Sequence, residues 1–361
     1  MPTISVTPFG PQHPSLLEPI HLKLRLEEEK VVGADIVIGY NHRGLERALE
    51  IDYKRNVFLS ERVCGICSFH HSTVYVQAIE SIMGIEVPKR VRLIRTMMLE
   101  LQRMTSHLLT LGHISEVMGF ENLFMQSWRE REDVMALIDR LAGNRVHYSM
   151  NAIGGLRKDL DYDNTKDIEN TLTRLLPKLK EIRDVFANDS TFRKRTKGVG
   201  VLTKTNAQRY GAVGPTARAS DVPYDVRLSS YAAYGIEGVK FRPIHRDEGD
   251  CYARTMVRAD ELTQSVDLIM QCIDLLRDEP ILVPPKGNPT GEAFSRVEAP
   301  RGELFYYVKA KGEAARLDRV KIRTPTFVNV QCLAEMIPNC QLADVPVITV
   351  SIDPCICCTD R

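Results

Sequence analysis

The chain lacks the features of a membrane-spanning, secreted or nucleic-acid-binding protein. No apolar run reaches the about 18 residues that a membrane helix needs, and the start MPTISVTPFG has neither the basic nor the apolar region of a signal peptide. Lysine and arginine number 48 against 47 aspartates and glutamates, so the net charge of +1 gives no general attraction for nucleic acid or an anionic membrane. We therefore expect a soluble chain with no nucleic-acid partner, for which a membrane-bound partner remains open.

Aromatic residues are also scarce, at 7% with a single tryptophan, and the glycine-containing stretches such as VGPTARAS show no phosphate-loop pattern. No nucleotide cofactor is therefore expected. With 361 residues, 43% of them hydrophobic and 26% charged, the composition is that of a globular protein with ample material for a core. Length alone suggests about two domains.

Cysteine is the informative residue type. Two C-x-x-C steps lie at opposite ends of the chain, Cys64 and Cys67 in RVCGICSFHH and Cys355 and Cys358 in DPCICCTDR. Each step presents two thiolates from one turn, so two steps brought together form an all-sulfur pocket for a soft metal ion or a cluster. The fold must then join its two ends, which predicts one interlocked domain over residues 1–361.

A structural zinc site is the alternative interpretation of four cysteines. Zinc ribbons place the second pair about 15–20 residues after the first, on a small module that the metal holds together. Here most of the chain separates the pairs, and a core of this size needs no such support. We expect the remaining cysteines to pack in or near the core as reduced thiols: Cys251, Cys272, Cys332, Cys340 and Cys357.

The hydrophobic pattern predicts an α+β fold with a central bundle of long helices. Residues 1–40 alternate as in a β-hairpin region, 41–280 read as mainly helical, and 281–361 read as strand-rich and closing the metal site. Helices are predicted from Pro88 to near Gly112 or Gly119 and over about 122–150, 164–187 and 258–278. The strands expected around the last motif are ELFYYVKA and PVITVSI.

The first motif also carries a candidate hydrogen-bond donor. If Cys67 opens a helix through HHSTVYVQAIESIMG, His71 lies at i+4 on the same face and can hydrogen-bond a metal-bound sulfur. His70 points elsewhere, and we interpret it as structural.

These residues resemble a known family. R-x-C-G-x-C-x-x-x-H near the start and D-P-C-x-x-C near the end resemble the two motifs of the nickel-iron hydrogenase large subunit. The rest resembles its energy-converting, membrane-bound (Ech-type) branch, which is related to the quinone-site (49 kDa type) subunit of complex I. The matching stretches are GPQHP, HRGLE, MGIEVPKRVRLIR, ELQRMTSHLL, EREDVM, IGGLRKDL, ARASDVPYDVR and GDCYARTMVR.

The resemblance implies a nickel-iron centre whose iron carries carbonyl and cyanide. Cys64 and Cys355 would be terminal nickel ligands, and Cys67 and Cys358 would bridge to iron. The reaction would interconvert protons and electrons with hydrogen, because cleaving hydrogen heterolytically needs a soft metal and a nearby base.

Partners follow from the same resemblance. They are a small subunit with a 4Fe-4S cluster, further iron-sulfur and integral membrane subunits, and ferredoxin as the electron partner. The complex would lie on the cytoplasmic face of the cell membrane and couple the reaction to ion translocation.

Further site residues are also implied by resemblance. Glu18 resembles a proton-gate carboxyl, with a surface glutamate as the alternative, and Cys358 is expected to take part in the chemistry. Arg301, beside Pro300, resembles the arginine that overhangs the metals and could pair with Asp353. Ser351 resembles a hydroxyl donor to an iron-bound cyanide; its alternative is a backbone partner.

The C-terminal D-P-C-x-x-C motif differs from that of most hydrogen-uptake relatives, in which a histidine follows it and helps to bind a hard metal. This chain has Arg361 there, and a guanidinium cannot ligate a cation, so a magnesium site is doubtful. Glu46 in HRGLE could instead pair with Arg361. We expect a buried terminus, whether processed or encoded without an extension.

A metal-free quinone-binding module is the competing interpretation, with His13 in the GPQHP loop near the quinone. The quinone-site relatives lack the four cysteines, which favours the hydrogenase. His13 would then be a loop anchor.

Overall fold

The computed structural model describes residues 4–235, 238–312 and 315–361. Two three-stranded antiparallel sheets flank a bundle of long helices, so the predicted α+β class is confirmed. The strands are β1 Ile4–Phe9, β2 His21–Glu27, β3 Lys30–Val37, β4 Asn151–Ala152, β5 Gly155–Leu156, β6 Thr290–Ala299, β7 Gly302–Lys311 and β8 Arg319–Arg323.

The N-terminal sheet has the order β1-β2-β3. The alternation of buried and exposed side chains in this sheet is clearest in β2. Leu22, Leu24 and Leu26 are buried against a small core, and the residues between them are more exposed. The loop over residues 10–20 connects β1 to β2 and carries Glu18 toward the C-terminal motif.

Long helices form the centre of the molecule, as predicted. The helices are α1 Leu45–Ala48, α2 Asn56–Glu61, α3 Ser68–Met83, α4 Lys89–Val117, α5 Glu121–Ala142, α6 Tyr162–Asn188, α7 Ser190–Thr196, α8 Lys204–Tyr210, α9 Gly214–Arg218, α10 Cys251–Leu275, α11 Pro325–Asn329, α12 Leu333–Met336, α13 Val345–Ser351 and α14 Ile356–Asp360. Short 3₁₀ turns span Val226–Ser229, Val330–Cys332 and Leu342–Asp344.

Two helix boundaries differ from the predicted ones. Pro88 precedes α4 as expected, but α5 ends at Ala142 rather than near 150, because Gly143 follows in the left-handed region at φ 85°. Helix α10 begins at Cys251, earlier than expected, because the Asp250 side chain accepts a hydrogen bond from the backbone N–H of Ala253 and caps the helix. Among the described residues, no helix is long and apolar enough to cross a membrane.

The predicted strand PVITVSI is wrong: this segment forms α13. Its side chains are buried all round, so it lacks the polar face that identifies a helix, and its β-branched residues mimic a strand. Strands in the C-terminal region therefore end at Arg323, and short helices carry the chain to the last cysteines. The strand predicted over ELFYYVKA is confirmed as β7.

Candidate metal centre

The first cysteine pair lies in the turn that leads into α3. Cys67 is the N-cap residue of this helix, as predicted, and Cys64 precedes it by one turn. The backbone N–H groups of Ile66 and Cys67 donate to Cys64 Sγ over 3.3 and 3.4 Å. Such donors favour the thiolate form of a cysteine.

The second pair lies between α13 and α14. Asp353 turns the chain there with φ 57°, a left-handed conformation that is uncommon for a residue other than glycine. The hydroxyl of Thr326 accepts from the backbone N–H of Cys355 over 3.2 Å. Cys355 then caps α14, so that Cys358 follows on its first turn.

The structure brings all four predicted cysteines together. Cys64 Sγ lies 3.4 Å from Cys355 Sγ, although 291 residues separate them, and Cys67 Sγ lies 3.4 Å from Cys358 Sγ. Each of the four is at most 2% exposed. Cys357, expected to pack in or near the core, is half-buried with its sulfur 3.2 Å from Cys355 Sγ. The sulfurs of Cys64, Cys355, Cys357 and Cys358 all lie within 4.8 Å of one another, so Cys357 belongs to the cluster although its residue is less buried.

The electrostatics of the cluster fit a bound cation. Burial alone would raise the pKa of the Cys64 thiol, but hydrogen bonds from neighbouring thiols lower it well below its usual value. Burial raises the pKa of the Cys358 thiol well above its usual value. Four buried sulfurs this close cannot all ionise unless a cation neutralises them. Soft sulfur donors select a soft metal such as nickel, and the residues present therefore fit the predicted centre.

His71 contacts both the cluster and the C-terminal sheet. Its Nε2 lies 3.5 Å from Cys358 Sγ, and its Nδ1 lies 2.8 Å from the hydroxyl of Tyr306 on β7. Burial lowers the pKa of His71 to about 4, so the ring is neutral. If the Tyr306 hydroxyl donates to Nδ1, Nε2 carries the hydrogen and donates to the sulfur. His70 points away, as expected, and bonds the side-chain oxygen of Gln102.

Arg301 and Asp353 form a buried pair next to the cluster. The guanidinium donates through Nη2 to Asp353 Oδ1 and through Nε to the Asp353 backbone oxygen, both over 2.8 Å. Its Nη1 donates to the hydroxyl of Ser106 on α4 over 3.3 Å. Burial opposes its charge, but Asp353 and the cysteine sulfurs raise the pKa of Arg301 well above its usual value. Pro300 is buried beside it in the turn between β6 and β7.

Glu18 lies against the second cysteine pair rather than on an open surface. Its carboxylate accepts from the backbone N–H of Ile356 and, over 3.2 Å, from that of Cys357. The side chain is half-buried, and the loop around it is partly exposed to solvent. This is the position that a carboxyl exchanging protons between cluster and solvent would need.

Ser351 is buried at the end of α13 and hydrogen-bonds to one backbone group and one side chain. Its hydroxyl donates to the backbone oxygen of Ile348 over 2.7 Å and accepts from Nε of Arg254 over 2.9 Å. The Ile348 contact is the kind that the backbone-partner alternative expects, and a role as hydroxyl donor to an iron-bound cyanide stays a prediction. Arg254 continues to the backbone oxygens of Gly249 and Gly200, so this arginine holds α13 against α10.

Sequence reasoning missed Tyr306, Ser106 and Arg254. Tyr306 could have been found, because the alternation in ELFYYVKA places it on the buried face of its strand, where a hydroxyl needs a polar partner. Ser106 and Arg254 lie inside long helices and carry no local signal of their contacts.

The last residue packs against the first half of the chain. Arg361 Nε lies 3.1 Å from Glu46 Oε1, and the Arg361 guanidinium lies 5.0 Å from the centre of the Phe327 ring.

His13 packs on Phe9, with ring centres 4.1 Å apart, and its Nδ1 lies 2.8 Å from the Ser15 hydroxyl. These contacts fit a loop anchor.

Comparison with known proteins decides the family. Residues 43–119 match the family described as nickel-dependent hydrogenase, and residues 118–288 and 282–361 match the 49 Kd subunit of respiratory-chain NADH dehydrogenase. The chain is 40% identical to the membrane-bound hydrogenase subunit alpha of Pyrococcus furiosus, over 98% of this chain and 87% of that protein. It belongs to the nickel-iron hydrogenase large-subunit family, in the membrane-bound branch related to complex I.

Two further proteins are similar to the chain over nearly its whole length. The large subunit is 39% identical to the carbon monoxide-induced hydrogenase of Rhodospirillum rubrum over 98% of both chains. Its fold matches a chain of the membrane-bound sulfane sulfur reductase, an archaeal respiratory membrane complex, with a TM-score of 0.93. The two chains are 33% identical, and the match covers 99% of this chain and 98% of the other. The chain is thus a subunit of the kind found in energy-converting membrane complexes.

Proposed function

We propose that this large subunit is the catalytic subunit of an energy-converting nickel-iron hydrogenase. It would interconvert two protons and two electrons with hydrogen. The observation that carries the proposal is the buried cluster of Cys64, Cys67, Cys355 and Cys358. Held by these sulfurs, a nickel-iron centre with iron-bound carbonyl and cyanide supplies heterolytic cleavage of hydrogen.

Side chains around the cluster would transfer protons, provide charge and hold the ligands in place. Glu18, bonded to the backbone beside Cys357, would pass protons between the cluster and solvent. Arg301, fixed by Asp353 and Ser106, offers a rigid planar donor and a positive charge beside the sulfurs. His71 would donate to Cys358 and so set the basicity of that sulfur. Ser351 would keep the backbone around the second cysteine pair in place.

The electron partners are proposed by relation to the family. A small subunit with a 4Fe-4S cluster would exchange electrons with ferredoxin, while further iron-sulfur and integral membrane subunits couple the reaction to ion translocation. The chain would lie at the cytoplasmic face of the membrane through these partners. It would act as one interlocked catalytic unit, since each half of the cluster comes from an opposite end of the sequence.

The test is metal analysis combined with infrared spectroscopy of the purified complex. Nickel and iron together with bands of iron-bound carbonyl and cyanide, which absorb where protein does not, are the expected result. Zinc alone with no such bands would leave a structural zinc site. Absence of metal together with quinone binding would favour the metal-free quinone module.

A further inference from the structure

A cluster of buried charged side chains lies behind the turn that carries Arg301. It contains three arginines and four carboxylates, each at most 1% exposed, from α4, α9, α10, β6 and the segment after α9. The members are Arg103, Arg218, Arg227, Glu100, Asp225, Glu261 and Glu298. We call this set the buried charge cluster. The proposed chemistry at the four cysteines does not use it.

The buried charge cluster has one carboxylate more than it has guanidinium groups. Arg258 on α10 forms no ion pair with these carboxylates among the described residues: its Nη1 donates to the backbone oxygens of Arg254 and Ser351, and its charge interacts more strongly with Asp353 than with Glu261. An unbalanced charge in a closed interior is costly, and a carboxyl relieves that cost by binding a proton.

The negative charge of Glu298 is the least well neutralised among the four carboxylates. Its Oε1 accepts from Arg218 Nη1 over 2.7 Å, but the same nitrogen lies 3.1 Å from Asp225 Oδ2. Among the described residues, its Oε2 accepts only from the backbone N–H of Val226, over 3.1 Å. Asp225, in contrast, also receives both Nε and Nη2 of Arg227, over 3.0 and 2.7 Å.

The other three carboxyls are better stabilised as anions. Despite their burial, the pKa of Glu261 is held well below its usual value by Arg218, and that of Glu100 falls to about 2 because of Arg103. Burial lowers the pKa of His107 to about 4, so this histidine stays neutral beside Glu261. Burial, followed by the charge of Asp225, raises the pKa of Glu298 to about 7.

On the side of Glu298 that faces the surface, one ion pair, between Glu303 and Arg323, lies between Glu298 and solvent. Glu298 on β6 stands directly opposite Glu303 on β7, so the two side chains share one face of the sheet. Glu303 accepts from the Tyr224 hydroxyl over 3.2 Å and pairs with Arg323 over 2.9 Å. The side chain of Arg323 is 42% exposed, so this pair reaches the surface.

The inner side leads toward Arg301. Arg218 bridges Glu298 to Glu261, and Glu261 accepts from His107 Nε2 over 2.8 Å. His107 Nδ1 is buried without a hydrogen-bond partner among the described residues, and water is the usual partner of such an atom. The residue before it, Ser106, holds Arg301.

We propose that Glu298 is a proton-holding carboxyl on a route between the Arg301 side of the cysteine cluster and the surface at Glu303. The guanidinium of Arg218 keeps its own protons, so the proton that leaves Glu298 inward would be carried by water in the space that His107 Nδ1 faces. One proton returns to Glu298 from the Glu303 side, and no electron moves. Delivery to the cysteine cluster rests on the proposed function, but proton holding by Glu298 does not. The groups that face Glu298 from the surrounding elements are Arg103, Arg218, Tyr224, Asp225, Arg227, Tyr231, Glu261 and Glu303.

The test compares Glu298→Gln with Glu292→Gln, an exposed change in the same strand. Infrared difference spectra of the purified complex, recorded across neutral pH in H₂O and D₂O, should show the stretching band of a protonated carboxyl that titrates. The band should disappear in Glu298→Gln and remain in Glu292→Gln and in Glu298→Asp. Hydrogen–D₂O exchange by Glu298→Gln should fall by about 10-fold or more at unchanged nickel content, less than the usual loss for a sole acid or base because Glu18 remains.

Each outcome separates the two proposals. A titrating band in a complex without hydrogen activity would sink the proposed function and leave Glu298 as a proton holder. Loss of the band with wild-type exchange would refute the route. If Glu298→Gln fails to fold, the wild-type spectrum decides: the absence of any carboxyl that titrates near neutral pH refutes the proposal.

Discussion

Arg361 and Glu46 join the end of the sequence to its first quarter: Arg361 Nε lies 3.1 Å from Glu46 Oε1, and both side chains are half-buried. Arg361 Nη1 also donates to the backbone oxygen of Thr359 over 2.7 Å, in the helix that carries Cys358. Burial opposes the charge of Glu46, but the backbone N–H of Ile322 and the Arg361 guanidinium lower its pKa. A permanent cation therefore stabilises the ionised form of Glu46 at this end of the chain.

Reversing the charge of Arg361 should open this contact. Arg361→Glu places two carboxylates together and should destabilise the closed end by about 1–2 kcal/mol, between the values for exposed and buried pairs. Nickel content should fall with it, whereas Arg361→Lys should retain most of the nickel. Metal analysis of the two purified variants measures this, and full loading of Arg361→Glu would show that the pair does not hold the site closed.

Cys357 offers a matched control for the ligand assignment. Cys355→Ser replaces a thiolate by a hard hydroxyl that is a poor ligand for a soft metal, so nickel and hydrogen evolution should both be lost. Cys357→Ser makes the same chemical change two residues away, at a position between the two expected ligands of the second C-x-x-C step, and should keep its nickel. Equal loss in both variants would mean that Cys357 is itself a ligand.

The cysteine cluster was predictable because ligand chemistry is encoded in local spacing. Two C-x-x-C steps fix two thiolates each, and His71 follows from helical periodicity once Cys67 opens α3. Cys357 was harder to place, because its distance from Cys355 depends on how α14 turns after Asp353, a conformation that no local pattern specifies.

The α+β class was also predictable, but α13 and the buried charge cluster were not. Periodicity identifies a helix only when one face meets solvent, and α13 has no such face. Arg218 and Glu261 lie in stretches that read as ordinary polar sequence, and only the packing of α9 against α10 brings them together. Burial of charge is a tertiary property, which single-residue hydrophobicity cannot reveal.

Glu18→Gln separates proton transfer from assembly of the site. Glutamine keeps an oxygen for the backbone N–H groups of Ile356 and Cys357 but cannot exchange a proton. Nickel content and the carbonyl and cyanide bands should remain, while isotope exchange falls by about 10²-fold or more. Unchanged exchange would return Glu18 to a purely structural role as the acceptor for these two N–H groups.

Arg301→Lys tests whether the planar guanidinium matters beyond its charge. Lysine cannot reach Asp353 Oδ1, the Asp353 backbone oxygen and Ser106 at once, as the arginine fork does. We expect activity to fall by about 10²-fold while the carbonyl and cyanide bands persist. Turnover at the wild-type rate, measured as hydrogen evolution, would reduce Arg301 to a counter-charge for Asp353.

Glu100 gives a pH-dependent test of the buried charge cluster. Its carboxylate pairs with Arg103 over 3.1 Å and accepts from Ser265 over 2.6 Å. Burial opposes ionisation, but Arg103 and Arg227 bring the pKa of Glu100 down to about 2, from an ordinary value of 4.5. Because the folded pKa is depressed, the stabilisation is present above pH 4.5 and is lost as the pH falls toward 2.

Glu100→Gln should therefore unfold more easily at neutral pH, by about 3 kcal/mol, because Arg103 loses its charged partner. The difference from wild type should shrink as the pH falls below about 4.5, since the unfolded wild-type protein then binds a proton at Glu100 while the folded protein keeps this carboxylate ionised until about pH 2. Denaturant unfolding of both proteins from about pH 7 to about pH 3 measures this, with the exposed change Glu292→Gln as control. A difference that stays constant over this range would show that Glu100 stabilises the protein through hydrogen bonds that glutamine cannot form, rather than through its charge.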